Sequence, residues 1–350
     1  MKKIKIILLV LLSLSVINFV ACSQSSSSGD RNSDGSSSPI ATSDSGTDTG
    51  TGTGTDVTNN PVITYIGSKS PSVAKEVGDI VFTDGSATPY SSTLSLTKAQ
   101  KKAAIAVIFY KGNGLNSDIK GNPDTSTSRT LGIGLFHDSA GLSWCYKSKQ
   151  HIYSFAHAYD RENSFIQCTV TKSGENISIT GDKNGRDNLM QIADDLGTGN
   201  DTGLIYKADG SFCYDGDYNY PAFYFAIDYK NRTFGTESNG EERTSRVKGS
   251  EFEDDWFLPS FAELYEVFRA SRDSSNNFDI DVISKLCGGD VFGDQAACWT
   301  SSQDPDTAEN ALYIMSNYKN DSWLDELTES SCDKGGPENY SFCTCAIREF

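Results

Sequence analysis

The chain has 350 residues, of which 37% are hydrophobic and 11% aromatic, enough for a sizeable core, and it carries a net charge of −17. Residues 1–60 hold four basic side chains against five aspartates, so −16 falls on the remainder. That balance argues against nucleic acid or a heparin-like polyanion as the general partner of the main domain.

Lys2, Lys3 and Lys5 precede an apolar run from Ile6 to Val16 and the stretch "NFVAC". This reads as a secretory signal, too short for a comfortable membrane span. Cys22 after Val20 and Ala21 looks like a lipobox cysteine, which would be lipidated and become the first mature residue; plain secretion is the alternative. Residues 1–22 are therefore assigned to a lipoprotein signal peptide. Residues 23–60 shift to Ser, Gly, Thr and Asp, with no apolar periodicity, and read as a disordered tether. A coil of that length has a reach of roughly 35 Å.

Residues 61–350 show no further low-complexity break and no fixed repeat, and are taken as one domain. "GDIVFTDGS" (78–86), "AAIAVIFYKGNG" (103–114) and "TLGIGLFHDS" (130–139) are predicted strands that end at Gly- or Asp-containing turns. "DNLMQIADDL" (187–196) suits a helix, and "YPAFYFAIDY" (220–229) is a buried helix or strand that periodicity alone does not decide.

The best-specified element follows "DDWFLPSFAELYEVF" (254–268). Ser260 and Glu263 have capping-box spacing, Phe261, Leu264, Tyr265 and Phe268 fall on one helical face, and Pro259 stiffens the approach. "ACWTSSQ" (297–303), "NALYIMSN" (310–317), "SWLDELT" (322–328) and "SFCTCAIREF" (341–350) are predicted strands, the last a buried closing strand.

Three separated motifs carry a family resemblance. Asp255-Trp256, Leu258-Pro259-Ser260 and Glu263-Leu264, then Trp299-Thr300-Ser301-Ser302, then Ala346-Ile347-Arg348, resemble the pattern of the Lcl C-terminal domain family. The resemblance spans roughly residues 103–350. It implies an α+β, C-type lectin-like fold related to that of formylglycine-generating enzymes, with two helices, twisted antiparallel strands and paired chain ends. Trp256, Leu258, Pro259, Glu263, Leu264, Trp299, Ser301, Ser302 and Arg348 are then fold-signature residues, with Trp256 and Leu258 in the core.

The frame "WTSSQ" (299–303) to "AIREF" (346–350) also resembles that of Treponema variable proteins, lipoproteins whose final segment is diversified by a retroelement cassette. By that resemblance residues 299–350 are the candidate ligand-binding segment. Its solvent-facing candidates are Asp304, Asp306, Tyr313, Tyr318, Asn320, Trp323, Tyr340 and Phe342, since aromatics among small polar residues suit a recognition surface. For Tyr313 and Phe342 the competing reading is an ordinary strand residue facing the core.

No catalytic constellation is expected. His137, His151 and His157 lie outside the motifs, and "GLSWC" (141–145) is not a nucleophile elbow. Cys343 and Cys345 invite comparison with formylglycine-generating enzymes, but the surrounding residues do not match. "QDPD" (303–306), "KNDSW" (319–323) and "YDGDYN" (214–219) depart from calcium-dependent sugar-binding and calcium-loop patterns, so no metal and no cofactor are expected. Eight cysteines besides Cys22, at 145, 168, 213, 287, 298, 332, 343 and 345, suit disulfides in an exported chain, with pairing left open.

The sequence thus predicts an exported, lipid-anchored protein on the outer surface. Its partners are the membrane, through the anchor, and a protein or cell-surface ligand. The competing readings are an enzyme related to formylglycine-generating enzymes and a structural periplasmic lipoprotein with no external ligand.

Overall fold

The computed structural model describes residues 64–118, 121–138, 141–144, 166–173, 176–195, 220–236, 240, 242–270, 278–291, 297–307, 310–315, 328–333 and 342–350. These all fall in the unit Pro61–Phe350. The signal peptide, Cys22 and the tether lie outside the described residues.

A five-stranded antiparallel sheet forms one layer. Its strands are β1 (Asp79–Phe82), β2 (Ala87–Pro89), β3 (Ala104–Gly112), β4 (Arg129–Gly134) and the C-terminal β13 (Ile347–Glu349), in the order β13-β4-β3-β1-β2. β3 is buried at every position from Ala104 to Phe109, which is what an uninterrupted apolar run at the centre of a covered sheet requires. Gly85, with φ +75°, supplies the left-handed residue of the tight β1–β2 turn.

A four-stranded sheet, ordered β11-β10-β9-β12, forms a second layer from β9 (Ala297–Gln303), β10 (Asn310–Met315), β11 (Thr328–Asp333) and β12 (Phe342–Cys343). Its neighbours are antiparallel except β12, which runs parallel to β9. Two hairpins lie apart, β5 (Cys168–Ser173) with β6 (Asn176–Gly181) and β7 (Thr233–Thr236) with β8 (Glu242–Thr244).

Five α-helices occur among the described residues. They are α1 (Lys98–Ala103), α2 (Gly185–Asp195), α3 (Pro221–Ile227), α4 (Phe261–Ala270) and α5 (Ile280–Cys287). α4 buries Phe261, Leu264, Val267 and Phe268 and packs against β3 of one sheet and β9 and β10 of the other, so it is the element both layers share. None of the five is long and apolar enough to cross a membrane.

The mixed α/β architecture with antiparallel sheets agrees with the sequence reading; two details correct it and a third decides a choice that it left open. The helices exceed two, because α1 and α5 have caps of their own: Thr97 and Gln100 form a capping box, and Asp279 accepts from Asp281 and Val282 while Gly288 closes α5 at φ +72°. Residues 220–229 resolve as helix plus a 3₁₀ turn, with Pro221 at the first helical position. The closing stretch is not one strand: β12 belongs to one sheet and β13 to the other. β13 pairs with β4 and not with β1, so the first and last strands share a sheet without touching.

Candidate functional site

The three sequence motifs meet at the N-terminal end of α4. Ser260 N–H donates to Glu263 Oε2 at 2.8 Å and Glu263 N–H donates to Ser260 Oγ at 3.3 Å, the reciprocal cap expected from the spacing. The same carboxylate also accepts from Gly185 N at 2.9 Å and, through Oε1, from Arg129 Nη1 at 2.8 Å. Arg129 and Glu263 are both buried. Arg129 further donates to Leu115 O at 2.7 Å, and its Nε reaches Glu349 Oε2 at 3.4 Å. Burial alone would lower its pKa; the Glu263 and Glu349 carboxylates outweigh burial and raise it.

The other two motifs close on this point. Phe257 and Ile347 exchange both backbone hydrogen bonds at 3.0 Å, and Arg348 Nε donates to Asp254 O at 2.9 Å. Ser301 N–H donates to Pro259 O at 2.7 Å, and Ser302 Oγ accepts from Phe261 N at 2.9 Å, satisfying an otherwise orphaned N–H of the first helical turn. Trp256, Leu258, Leu264 and Trp299 are buried in the core. Trp256 Nε1 donates to Phe252 O at 2.7 Å and Trp299 Nε1 to Leu142 O at 2.6 Å, so each indole is packed and satisfied. The fold-signature residues are therefore joined in one scaffold. Sequence reasoning missed Arg129 and Gly185 in it. They lie far along the chain from the motifs they serve, and a lone Arg or Gly carries no local signal.

The candidate ligand-binding residues divide. Tyr313 pairs across strands with Trp299, and its ring lies 4.5 Å from that of Phe342; Trp299 and Phe342 are 4.6 Å apart. Phe342 is only 5% exposed and Tyr313 half-buried, so both follow the core-facing alternative, drawn in by the Trp299 ring. Asp304 is also buried, at 8% exposure: its Oδ1 accepts from Asp306 N at 2.8 Å and its own N–H pairs with Asn310 O, making it the turn-former between β9 and β10. The expectation that Asp304 and Phe342 face solvent is thus corrected. Asp306 is exposed. Tyr318, Asn320, Trp323 and Tyr340 lie outside the described residues.

Cys298 and Cys343 are joined by a disulfide across the β9–β12 pair, with Cα atoms 4.5 Å apart. Cys287 and Cys345 remain buried free thiols, and burial pushes both up to about 12, so not every cysteine expected to pair does so. Cys145 and Cys213 lie outside the described residues, as do His151, His157 and residues 214–219.

A cleft of about 680 Å³ opens beside the β7–β8 hairpin, lined among others by His137, Asp228, Arg232, Phe234, Arg243 and Asp290. Its charges are set against one another. Arg243 pairs with Asp290; Arg232 faces Asp228 at 4.0 Å and stacks 4.4 Å from the Tyr224 ring. Burial lowers the His137 pKa, which keeps that imidazole neutral near pH 7. Among the described residues no group of three or more His, Cys, Asp or Glu is placed to hold a metal ion.

No protein-family profile, no curated protein and no solved structure matches this chain.

Proposed function

We propose that the chain is an exported, lipid-anchored surface protein whose C-type lectin-like domain binds a protein or cell-surface ligand through residues 299–350, a segment open to diversification. One observation carries the reading. Ala297 pairs with Phe342, and Cys298 with Cys343, so the two ends of the segment meet at one place, locked by a disulfide, while β10 between them keeps Ala311, Leu312 and Ile314 in the core. Its two anchors, 297–303 and 342–347, are buried throughout. Connections between strands fixed in this way can change length and sequence at small conformational cost, while the scaffold stays fixed. Binding sites placed on loops above a rigid frame follow the same logic.

Against an enzyme of the formylglycine-generating type, the engagement of Cys343 in a disulfide and the buried, high-pKa Cys345 favour a scaffold role for this cysteine pair. The C-type lectin-like assignment rests on the motif frame together with a mixed α/β domain whose C-terminal strand is secured by Arg348 and Phe257.

Four tests bear on the proposal. Protease treatment of intact cells should strip residues 61–350, and a Cys22→Ala variant should lose acyl labelling; a domain that stays protected rules out the surface role. Fluorescently labelled protein should bind target cells, and a Tyr318→Ala, Trp323→Ala, Tyr340→Ala triple variant should bind them far less while unfolding at the same temperature. Unchanged binding would move the ligand site elsewhere. For diversification, the expected finding is a near-copy of the bases encoding residues 299–350, differing chiefly at adenines, beside a reverse transcriptase gene.

A further inference from the structure

Asparagine followed by glycine is the pair most prone to lose its side-chain ammonia, because glycine puts no side chain in the path of the attacking amide nitrogen. The chain holds three such pairs, at 113–114, 184–185 and 239–240. Asn239 lies outside the described residues. Asn184-Gly185 is closed by burial: Asn184 is 8% exposed, its Nδ2 donates to Asn116 Oδ1 at 3.1 Å and its Oδ1 accepts from Arg186 N at 3.1 Å. Gly185 N–H donates to the Glu263 carboxylate, which opposes loss of that proton because the amide anion would face a like charge.

Asn113-Gly114 has no such cover. Both residues are exposed, just after β3 ends at Gly112. Each reacting group is nevertheless held. Gly114 N–H donates to the Tyr110 hydroxyl at 2.6 Å and Leu115 N–H donates to the same oxygen at 3.1 Å, so one phenol oxygen accepts from two successive backbone amides. Asn113 Nδ2 donates to Thr125 O at 3.0 Å, across the loop. The two limbs of the loop are joined further by Asp124 N to Asn116 O at 3.0 Å and by Asn116 Nδ2 to Asp124 Oδ2 at 2.8 Å. The hydroxyl is the group that meets the attacking nitrogen.

We propose that Asn113-Gly114 is a latent deamidation site that the Tyr110 hydroxyl keeps closed. In the reaction Gly114 N gives its proton to solvent and bonds to Asn113 Cγ; the Cγ–Nδ2 bond breaks, and Nδ2 takes a proton from solvent and leaves as ammonia. Water then opens the cyclic imide at either carbonyl, giving aspartate or isoaspartate at position 113. The attacking nitrogen first has to give up its bond to Tyr110 and turn toward the side chain, and the Leu115 bond to the same oxygen resists that turn. The product would reach the scaffold. Leu115 is buried and its carbonyl accepts from Arg129 Nη1 at 2.7 Å, so the extra backbone carbon of isoaspartate displaces a partner of the Arg129–Glu263 pair. None of this depends on whether residues 299–350 bind a ligand.

The test uses the intact chain and a Tyr110→Phe variant, which keeps the ring and deletes the hydroxyl. Both are aged in mildly alkaline buffer, and their peptides are mapped by mass spectrometry with a readout for isoaspartate. In the parent, Asn113 and Asn184 should keep their amides far longer than Asn113 does in a free peptide spanning residues 109–117. In Tyr110→Phe, Asn113 should convert about tenfold faster, the factor that losing two hydrogen bonds of modest net worth allows, while Asn184 stays intact. Equal rates at Asn113 in parent and variant overturn the proposal, and so does a parent rate equal to that of the peptide. Amide hydrogen exchange in the parent decides the matter even if the variant does not fold. Gly114 should exchange far more slowly than an unbonded amide, and exchange at the free-chain rate shows that Tyr110 guards nothing.

Discussion

Glu263 serves three partners with two oxygens: the cap of its own helix, the Gly185 N–H of α2 and the Arg129 guanidinium of β4. A buried ion pair of this kind adds little over a well-packed apolar pair, but removing one member strands the other charge in the core. Among the described residues Arg129 Nη2 has no hydrogen-bond partner. Glu263→Gln keeps the side chain's shape and deletes its charge. It should cost about 3–5 kcal/mol in urea unfolding. The double variant Arg129→Met, Glu263→Leu should lose clearly less than the sum of the two single changes, because it strands nothing. Additive losses would show that the pair matters only as two independent side chains.

At the scale of elements, the joint between α2 and α4 depends on close backbone approach. A Cβ on Gly185 would fall on the Leu258 carbonyl oxygen and lie 2.7 Å from Ser260 N, both rigid backbone positions. Gly185→Ala should therefore push α2 away and destabilise the protein by roughly 1–3 kcal/mol, despite alanine's better helix propensity. A variant as stable as the parent in thermal unfolding would show that this joint is slack. Neither Gly185 nor Arg129 stood out in the sequence, because Arg129 and Glu263 are 134 residues apart and nothing local marks such a meeting. What was legible had short-range causes: β3 from its continuous apolar run, α4 from its capping box and stripe. α5 was not predicted: Asp279 and Gly288 mark its ends, but its eight residues make a weak periodic signal. The split of residues 341–350 was hidden for a different reason. Both halves are buried, so apolar character is continuous across a stretch that changes sheets. The candidate surface misled at Phe342 and Asp304 because an aromatic and an aspartate look alike in sequence whether they meet ligand, Trp299 or a turn.

At the scale of the molecule, two sheets share α4 on one side and are joined by the chain between β12 and β13 on the other. β13 is held by hydrogen bonds to β4 and by Phe257. β12 has only two residues, in a parallel pair with β9, so its hydrogen bonding is slight and the Cys298–Cys343 bond is its main restraint. That bond closes a loop of about 45 residues. Confinement of the unfolded chain by a loop of that size is worth up to about 4 kcal/mol. Replacing both cysteines by alanine should lower stability by about 2–4 kcal/mol, with the loss falling mainly on the second sheet. Trp299 reports on that sheet directly, since its ring rests 4.6 Å from Phe342. Its fluorescence should shift toward that of a wetter indole, while hydrogen-exchange protection in β3 and β4 stays high. Uniform loss of protection across both sheets would mean that the two layers fold as one cooperative body. Retained stability would mean that the Trp299–Tyr313–Phe342 ring cluster, and not the covalent link, closes the frame around residues 304–341.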